Sequence, residues 1–405
     1  MNSSHMIVRI SRLAMIICLL ALALATAACS ESATTPPTIP PTRTPKPTFT
    51  STATLLPTAT AAPSATPTSV PTNTPTAVPP TATLTVVPTE TPTPTPTPDV
   101  HLNPLNGLRV DDPARLQRRP VLVRYGNDQG GWPLAGISQA EIVYEDLMEG
   151  NWITRYTAVF LAQDPDTIGP LRSARPVNLE MVPQYDGMFV YSGASIGVNQ
   201  LLAQTDFPKL QEGMAGNGFY RNASKKAPYN LYGSLVAVRQ YMAEKGLEKP
   251  VALKGFTFSA EGAPPPQGQP ARKVHIPYPS TSVVDYNYDE ASGLYLRSVQ
   301  GKPFVEELTG KQLSTANIVV MYVEHKSTNI VEDSLGNTAI NIVTTGEGRV
   351  LIFRDGIVLE GVWRRAAITD FPEFLDSQGE VIPLKPGTTW IQYVPPSYAI
   401  EVKGE

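Results

Sequence analysis

Hydropathy divides the chain into three stretches of different periodicity. Residues 13–28 are almost continuously apolar and follow Arg9 and Arg12. Residues 31–98 carry no apolar period at all. From residue 101 onward, short β-branched runs are separated by polar turns. Within this last stretch the runs 120–125, 140–144, 156–162 and 188–191 predict strands, and 176–185, 197–204 and 231–245 predict helices. Strand and helix in alternation point to an α/β subdomain over residues 101–260. The segment Gly262-Ala263-Pro264-Pro265-Pro266 then breaks the pattern. Residues 271–405 read as a β-rich subdomain, with strands expected at 283–289, 293–297, 318–323, 339–344 and 388–394. A hairpin is expected where Asp355-Gly356 separates the apolar runs 349–353 and 357–363, because Asp-Gly suits a tight turn.

The sixteen residues 13–28 are short for a bilayer-spanning helix, which needs about 20, and suit the apolar core of a signal peptide. They end in Ala25-Thr26-Ala27-Ala28-Cys29, which resembles a bacterial lipobox with Thr26 where Leu, Val or Ile is usual. Residues 1–29 are therefore read as a lipoprotein signal peptide, with ordinary Ala-x-Ala cleavage as the alternative. Cys18 would leave with the signal peptide, so Cys29 becomes the sole cysteine of the mature chain. That excludes a disulfide framework and a cysteine-based zinc site. A diacylglycerol on Cys29 would supply the two acyl chains that stable anchoring needs. The expected location is the outer face of the cell membrane.

Residues 30–100 are read as a disordered Thr/Pro-rich linker. Proline fixes φ and removes backbone donors, which disfavours helix and sheet and favours polyproline II. Fully extended, such a segment reaches on the order of 200 Å. The linker sets how far from the membrane the folded region works.

Charge and histidine usage narrow the chemistry. The first 99 residues hold four basic and three acidic side chains, leaving 28 basic against 33 acidic in the rest. That acidic balance argues against nucleic acid as a partner. Beyond the leader the histidines are His101, His275 and His325, without metal-ligand spacing. Neither a metal nor a cofactor is expected. No Gly-x-Ser-x-Gly elbow and no phosphate-binding loop occurs.

Two charged clusters remain as candidates. Glu141, Glu145, Asp146 and Glu149 lie at and after a predicted strand, with Arg155 following. Glu145 and Glu149 facing one cleft would make an acid–base pair for a glycosidic bond; paired to arginines, they would be structural. Arg172-Ser173-Ala174-Arg175-Pro176 precedes a predicted helix and suits either an anion site or a clamp on those glutamates. Lys226, in a basic loop with Arg221 and Lys225, would extend an anion site or simply be solvated.

Several stretches also resemble a known family: Ile137-Ser138-Gln139-Ala140-Glu141-Ile142-Val143-Tyr144-Glu145, Ile168-Gly169-Pro170-Leu171-Arg172-Ser173-Ala174-Arg175-Pro176, Lys226-Ala227-Pro228 with Asn230-Leu231-Tyr232, and Phe353-Arg354-Asp355-Gly356. In these the chain is similar to the YerB-like bacterial lipoproteins, the family of domain of unknown function 3048. The resemblance implies an N-terminal and a C-terminal subdomain on a cell-envelope lipoprotein. It departs from that pattern at Ser192 and Tyr229, where relatives often carry histidine, so histidine chemistry is not expected there. The reading that follows is a binding or interaction module acting on cell-wall glycan, peptidoglycan included, or on an envelope partner. The alternatives are a glycan-processing enzyme built on Glu145 and Glu149 with Arg172 and Arg175 as anion clamp, and a polyprenyl-phosphate-handling protein.

Overall fold

The structure, a computed structural model, describes residues 99–214 and 218–405. The expected leader, Cys29 and all but the last two residues of the linker lie outside the described residues.

The folded region is mostly strand, with few helices. Its first part contains β1 (Val121–Gly126), β2 (Ile142–Leu147), β3 (Thr154–Phe160), α1 (Val177–Met181), β4 (Met188–Tyr191), α2 (Ile196–Leu202), β5 (Lys209–Gln211) and α3 (Leu235–Glu244). After the proline-rich break come β6 (Lys273–Ile276), β7 (Val284–Asp289), β8 (Leu294–Val299) and β9 (Asn317–Tyr322). The chain continues through β10 (Glu324–Val331), β11 (Thr338–Val343), β12 (Gly346–Arg354) and β13 (Ile357–Arg365). It closes with β14 (Glu373–Leu375), β15 (Thr389–Val394) and β16 (Glu401–Lys403). The strands stand within a few residues of where the β-branched runs put them. The three α-helices are shorter than their apolar periods suggested, because prolines and tight turns cut into them.

One mixed sheet of eleven strands runs β14-β13-β12-β9-β15-β2-β3-β1-β4-β5, with Gln269–Pro270 added to β13. Strands from both sides of the 260–270 break therefore share it, and the join is the parallel pair of β2 and β15, with Glu145 opposite Gln392. The two stretches 101–260 and 271–405 follow one another along the sequence but hydrogen-bond into one sheet. Burial explains why: β2, β9 and β15 are buried at every position, so none of them tolerates an open edge.

Alternation decides what covers each face. Val121, Val123, Tyr125, Val143, Tyr156 and Trp390 point to one side, where the six-stranded sheet containing β6, β7, β8 and β16 packs, together with α3. Leu122, Tyr144, Phe189, Val319 and Ile391 point to the other, against α1 and α2. A sheet covered on both faces needs continuous apolar strands, and the central runs are of that kind.

The strands β1, β2, β4, β9 and β15 all run in one direction, while β3 opposes them. Their C-terminal ends therefore lie along one edge. At that edge lie Glu149, in the turn after β2, and Arg155, at the start of β3. β10 and β11 pair only with each other and rise from the end of β9 as a separate hairpin.

Candidate anion site

The end of β2 separates Glu145 from Glu149, because Glu145 lies within the strand and Glu149 in the turn after it. Glu145 points toward the six-stranded sheet and is fully buried. There it accepts from Arg297 Nη2 at 2.7 Å and from Thr154 Oγ1 at 2.7 Å. Arg297 is enclosed by Trp390, Tyr286, Tyr156 and Phe304, with its guanidinium carbon 4.2 Å from the Trp390 ring centre. Burial pushes the Glu145 carboxyl up, and the Arg297 charge opposes the rise. The neighbouring Asp146 points to the opposite face, where Arg124 holds it through bonds of 2.5 and 2.8 Å. Glu141 likewise is spent on structure, accepting from Leu161 N, Ala162 N and Asn103. The acid–base reading required Glu145 and Glu149 across an open cleft and free of arginine, and that condition is not met.

Glu149 lies beyond β2 in a short turn, on the helical side, and Arg175 grips both of its oxygens. Burial pushes the Glu149 carboxyl up, but the Arg175 hydrogen bonds and charge, with Arg155 behind them, hold it below the usual carboxylate range. Arg155, Arg172 and Arg175 do come together with Glu149 here. The segment that carries two of them is stitched between the strand ends: Arg172 N donates to Arg124 O, Ser192 N to Arg172 O, and Ala174 N to Gly193 O. A side chain at Gly126 would sit 2.5 Å from Arg172 Cγ, so the glycine that ends β1 leaves the space in which Arg172 lies.

The three arginines are not equally satisfied. Arg175 is committed to Glu149. Arg172 donates from Nε to Asp128 at 3.0 Å and lies over the Tyr229 ring, 5.2 Å from its centre. Among the described residues, the two terminal nitrogens of Arg172 make no hydrogen bond. Arg155 is 7% exposed and, among the described residues, its side chain makes a single hydrogen bond, from Nη1 to Ser173 O at 2.9 Å. Among the described residues no carboxylate lies within 4 Å of it. Burial pushes the Arg155 guanidinium well below its ordinary value, the charges of Arg175, Arg172 and Arg124 add to the effect, and the Glu149 charge opposes it. A buried guanidinium with one carbonyl and three cationic neighbours is a place where an anion is stabilised.

Hydroxyls line the same corner. Ser173 Oγ and Ser192 Oγ are 3.5 Å apart, and a side chain at Gly193 would meet no atom within 4 Å. Ser192 and Tyr229 thus flank Ser173 and Arg172. Lys226 is exposed on the loop that carries Tyr229, and among the described residues it pairs with no carboxylate. Lys225 is the lysine drawn inward, to Gly131 O, Pro133 O and Glu307.

One member came from far along the chain. Glu332, at the tip of the β10/β11 hairpin, has a side chain only 1% exposed, and its Oε2 is 3.2 Å from Arg175 Nε. That Nε already donates to Glu149 at 2.7 Å, so among the described residues neither Glu332 oxygen has a hydrogen bond of normal geometry. Burial pushes the Glu332 carboxyl up; Arg175 pulls it back, Glu149 adds to the rise, and Ser195 favours the charged form without closing a normal bond. Nothing in the local sequence signals this contact. The turn Asp333-Ser334-Leu335-Gly336 marks a hairpin but not what its tip touches.

Comparison with known proteins agrees with this architecture. Residues 105–248 match the N-terminal domain, and residues 274–391 the C-terminal domain, of a protein of unknown function, DUF3048. A Bacillus subtilis (strain 168) protein named "Putative lipoprotein YerB" is 32% identical over 308 residues, 75% of this chain and 89% of that one. The crystal structure of YerB protein from Bacillus subtilis superposes with a TM-score of 0.64 at 30% identity, covering 74% of this chain and 98% of that chain. With both domain models matched in order and a relative aligned over nearly its whole length, the chain belongs to the DUF3048 family of YerB-like proteins.

Proposed function

We propose that the folded region is a binding module of the cell envelope, and that its ligand presents an acidic group to Arg155 and Arg172. The observation that carries this reading is the state of Arg155. The other buried arginines, Arg365 apart, each have a carboxylate partner: Arg119 has Asp186, Arg124 Asp146, Arg175 Glu149, Arg297 Glu145 and Arg354 Asp355. Arg365 lacks a carboxylate but donates to Thr344 Oγ1 and to the carbonyls of Glu180, Ile368 and Asp370. Arg155 has one carbonyl, no carboxylate within 4 Å among the described residues, and three cationic neighbours against the more distant Glu149, which is a costly arrangement for a side chain without a ligand.

The relative's name supports reading this chain as a lipoprotein too, held at the outer face of the membrane through Cys29 and spaced from it by the linker. An acidic cell-wall glycan is then the ligand class within reach. Phosphate, pyrophosphate and sugar carboxylate all match the planar guanidinium fork. Glu145 and Glu149 are each bound to an arginine, so support for glycan cleavage by that pair is weak.

A second reading has its own observation. Ile196, directly after Ser195, and Leu335, at the hairpin tip, are each 81% exposed, and Trp152 beside the Glu149 turn is 54% exposed. Apolar side chains around a cationic corner also suit a polyprenyl phosphate.

The test is retention of the full-length protein on purified acidic wall polymer, on acid-free glycan and on polyprenyl-phosphate vesicles, with Arg155→Met alongside. Salt-sensitive retention on the acidic polymer, reduced about tenfold or more by Arg155→Met, is the expected result. Retention on the vesicles alone would favour the second reading. Equal retention of both proteins everywhere would remove Arg155 from the account.

A further inference from the structure

We propose that the β10/β11 hairpin is a latch over the anion site: Glu332 stands on the arginine cluster where the ligand's acidic group goes, and the ligand binds by displacing it. This rests on the reading of Arg155 and Arg172 as an anion site and adds how access to that site is controlled.

The hairpin is built as a separable piece. Its strands pair with each other and with neither large sheet, and a register shift lies between Ser327 and Val331. Its inner side is seated by Ala339 and Ile342, which are buried, and by Ile330, which packs on α2 at Gly197. A side chain at Gly197 would come 2.6 Å from Ile330 Cγ2, so the glycine is what lets the hairpin close this far.

The tip is rigid where it meets the site. Asp333 Oδ1 accepts from Leu335 N and Asn337 N, each at 3.0 Å, and Asn337 Nδ2 donates to Asp333 Oδ2 at 2.8 Å. Glu332 N donates to Asn337 O at 2.9 Å. The backbone around Glu332 is thus fixed by its own turn, and only the carboxylate reaches the cluster.

That carboxylate is badly placed for a permanent structural role. A buried carboxylate normally collects several hydrogen bonds, as Glu141 does here with three donors. Glu332 has charge opposite it but no normal hydrogen bond, because Arg175 is already used by Glu149. An ion pair with Arg175 and the more distant charge of Arg155 hold it, and an external anion that could accept from Arg155 and Arg172 would outcompete it. A contact made by charge without hydrogen bonds is an exchangeable one.

The experiment uses full-length wild type, Glu332→Gln and Gly197→Ala, each titrated calorimetrically with inorganic pyrophosphate and with N-acetylmuramic acid. Both variants loosen the closed hairpin, one by removing the charge and the other by crowding Ile330. Both are expected to bind at least about fivefold more tightly than wild type, because less of the protein is held in the blocked state. In wild type, saturating probe should speed amide exchange across Glu324–Val331 and Thr338–Val343. If all three proteins bind equally, the latch is wrong and the anion site stands. If none binds either probe, the anion site falls and the latch with it. Slower exchange of the hairpin on binding would overturn displacement by showing that the ligand clamps it shut.

Discussion

At the scale of single residues, neighbouring carboxylates in this protein have opposite fates because a strand turns successive side chains to opposite faces. Glu145 goes to one core and Asp146 to the other, and each meets a different arginine. The Glu145–Arg297 pair is sealed in aromatic side chains, so removing one partner strands the other. Glu145→Leu or Arg297→Met alone should cost about 3–5 kcal/mol, while the double variant should cost much less than the sum. Urea unfolding of the four proteins measures this, and additive costs would show that the pair is not coupled. Glu149 gives a pH signature. Its folded-state carboxyl is held below the usual range, so the stability it contributes is fully present above the ordinary glutamate value and is lost as pH falls through the depressed one. The acid limb of the stability curve should therefore be shallower in Glu149→Gln than in wild type. An unchanged limb would mean that the Arg175 contact does not hold in solution.

At the scale of elements, what was legible depended on whether the signal was local. The strands β1, β2, β4, β9 and β15 were readable because a fully buried strand must be apolar along its whole length. The Asp355-Gly356 turn was readable from its two residues, and β12 and β13 pair about it with Arg354 opposite Ile357. The convergence of Glu149, Arg155, Arg172 and Arg175 was half legible, since all four flank strands that end on one edge. Whether Arg172 and Arg175 clamp glutamates or hold an anion was not, and the answer differs between them: Arg175 clamps Glu149, whereas Arg172 takes Asp128 and Tyr229. Arg297 and Glu332 were invisible, being well over a hundred residues from Glu145 and Arg175 respectively, with no periodicity linking them. Lys226 was a candidate because it is basic, yet its neighbour Lys225 is the one with buried partners. Long-range pairing of charges leaves no trace in local pattern.

At the scale of the molecule, one sheet carries both family domains. The parallel join of β2 to β15 and the Glu145–Arg297 contact both cross between them. The 260–270 segment is mostly exposed and is the natural place to cut without touching that join. A protein with a specific protease site inserted after Gly262 should, once cleaved, still migrate as one species on size exclusion and unfold in one transition. Separation of the fragments would mean that the sheet is not continuous in solution. Arg155, Arg172 and Arg175 all come from the first of the two domains, and Glu332 is brought to Arg175 from the second. The site's central feature is a buried cation with no carboxylate within 4 Å among the described residues, a sacrifice of stability that a functional site explains. The most direct test is calorimetric titration of full-length wild type and Arg155→Met with pyrophosphate, on samples whose melting temperatures are measured alongside. The account predicts binding by wild type, its loss in Arg155→Met, and a variant melting temperature equal to or above that of wild type. A variant that binds as well as wild type, or one that melts several degrees lower, would make Arg155 a structural residue and contradict it.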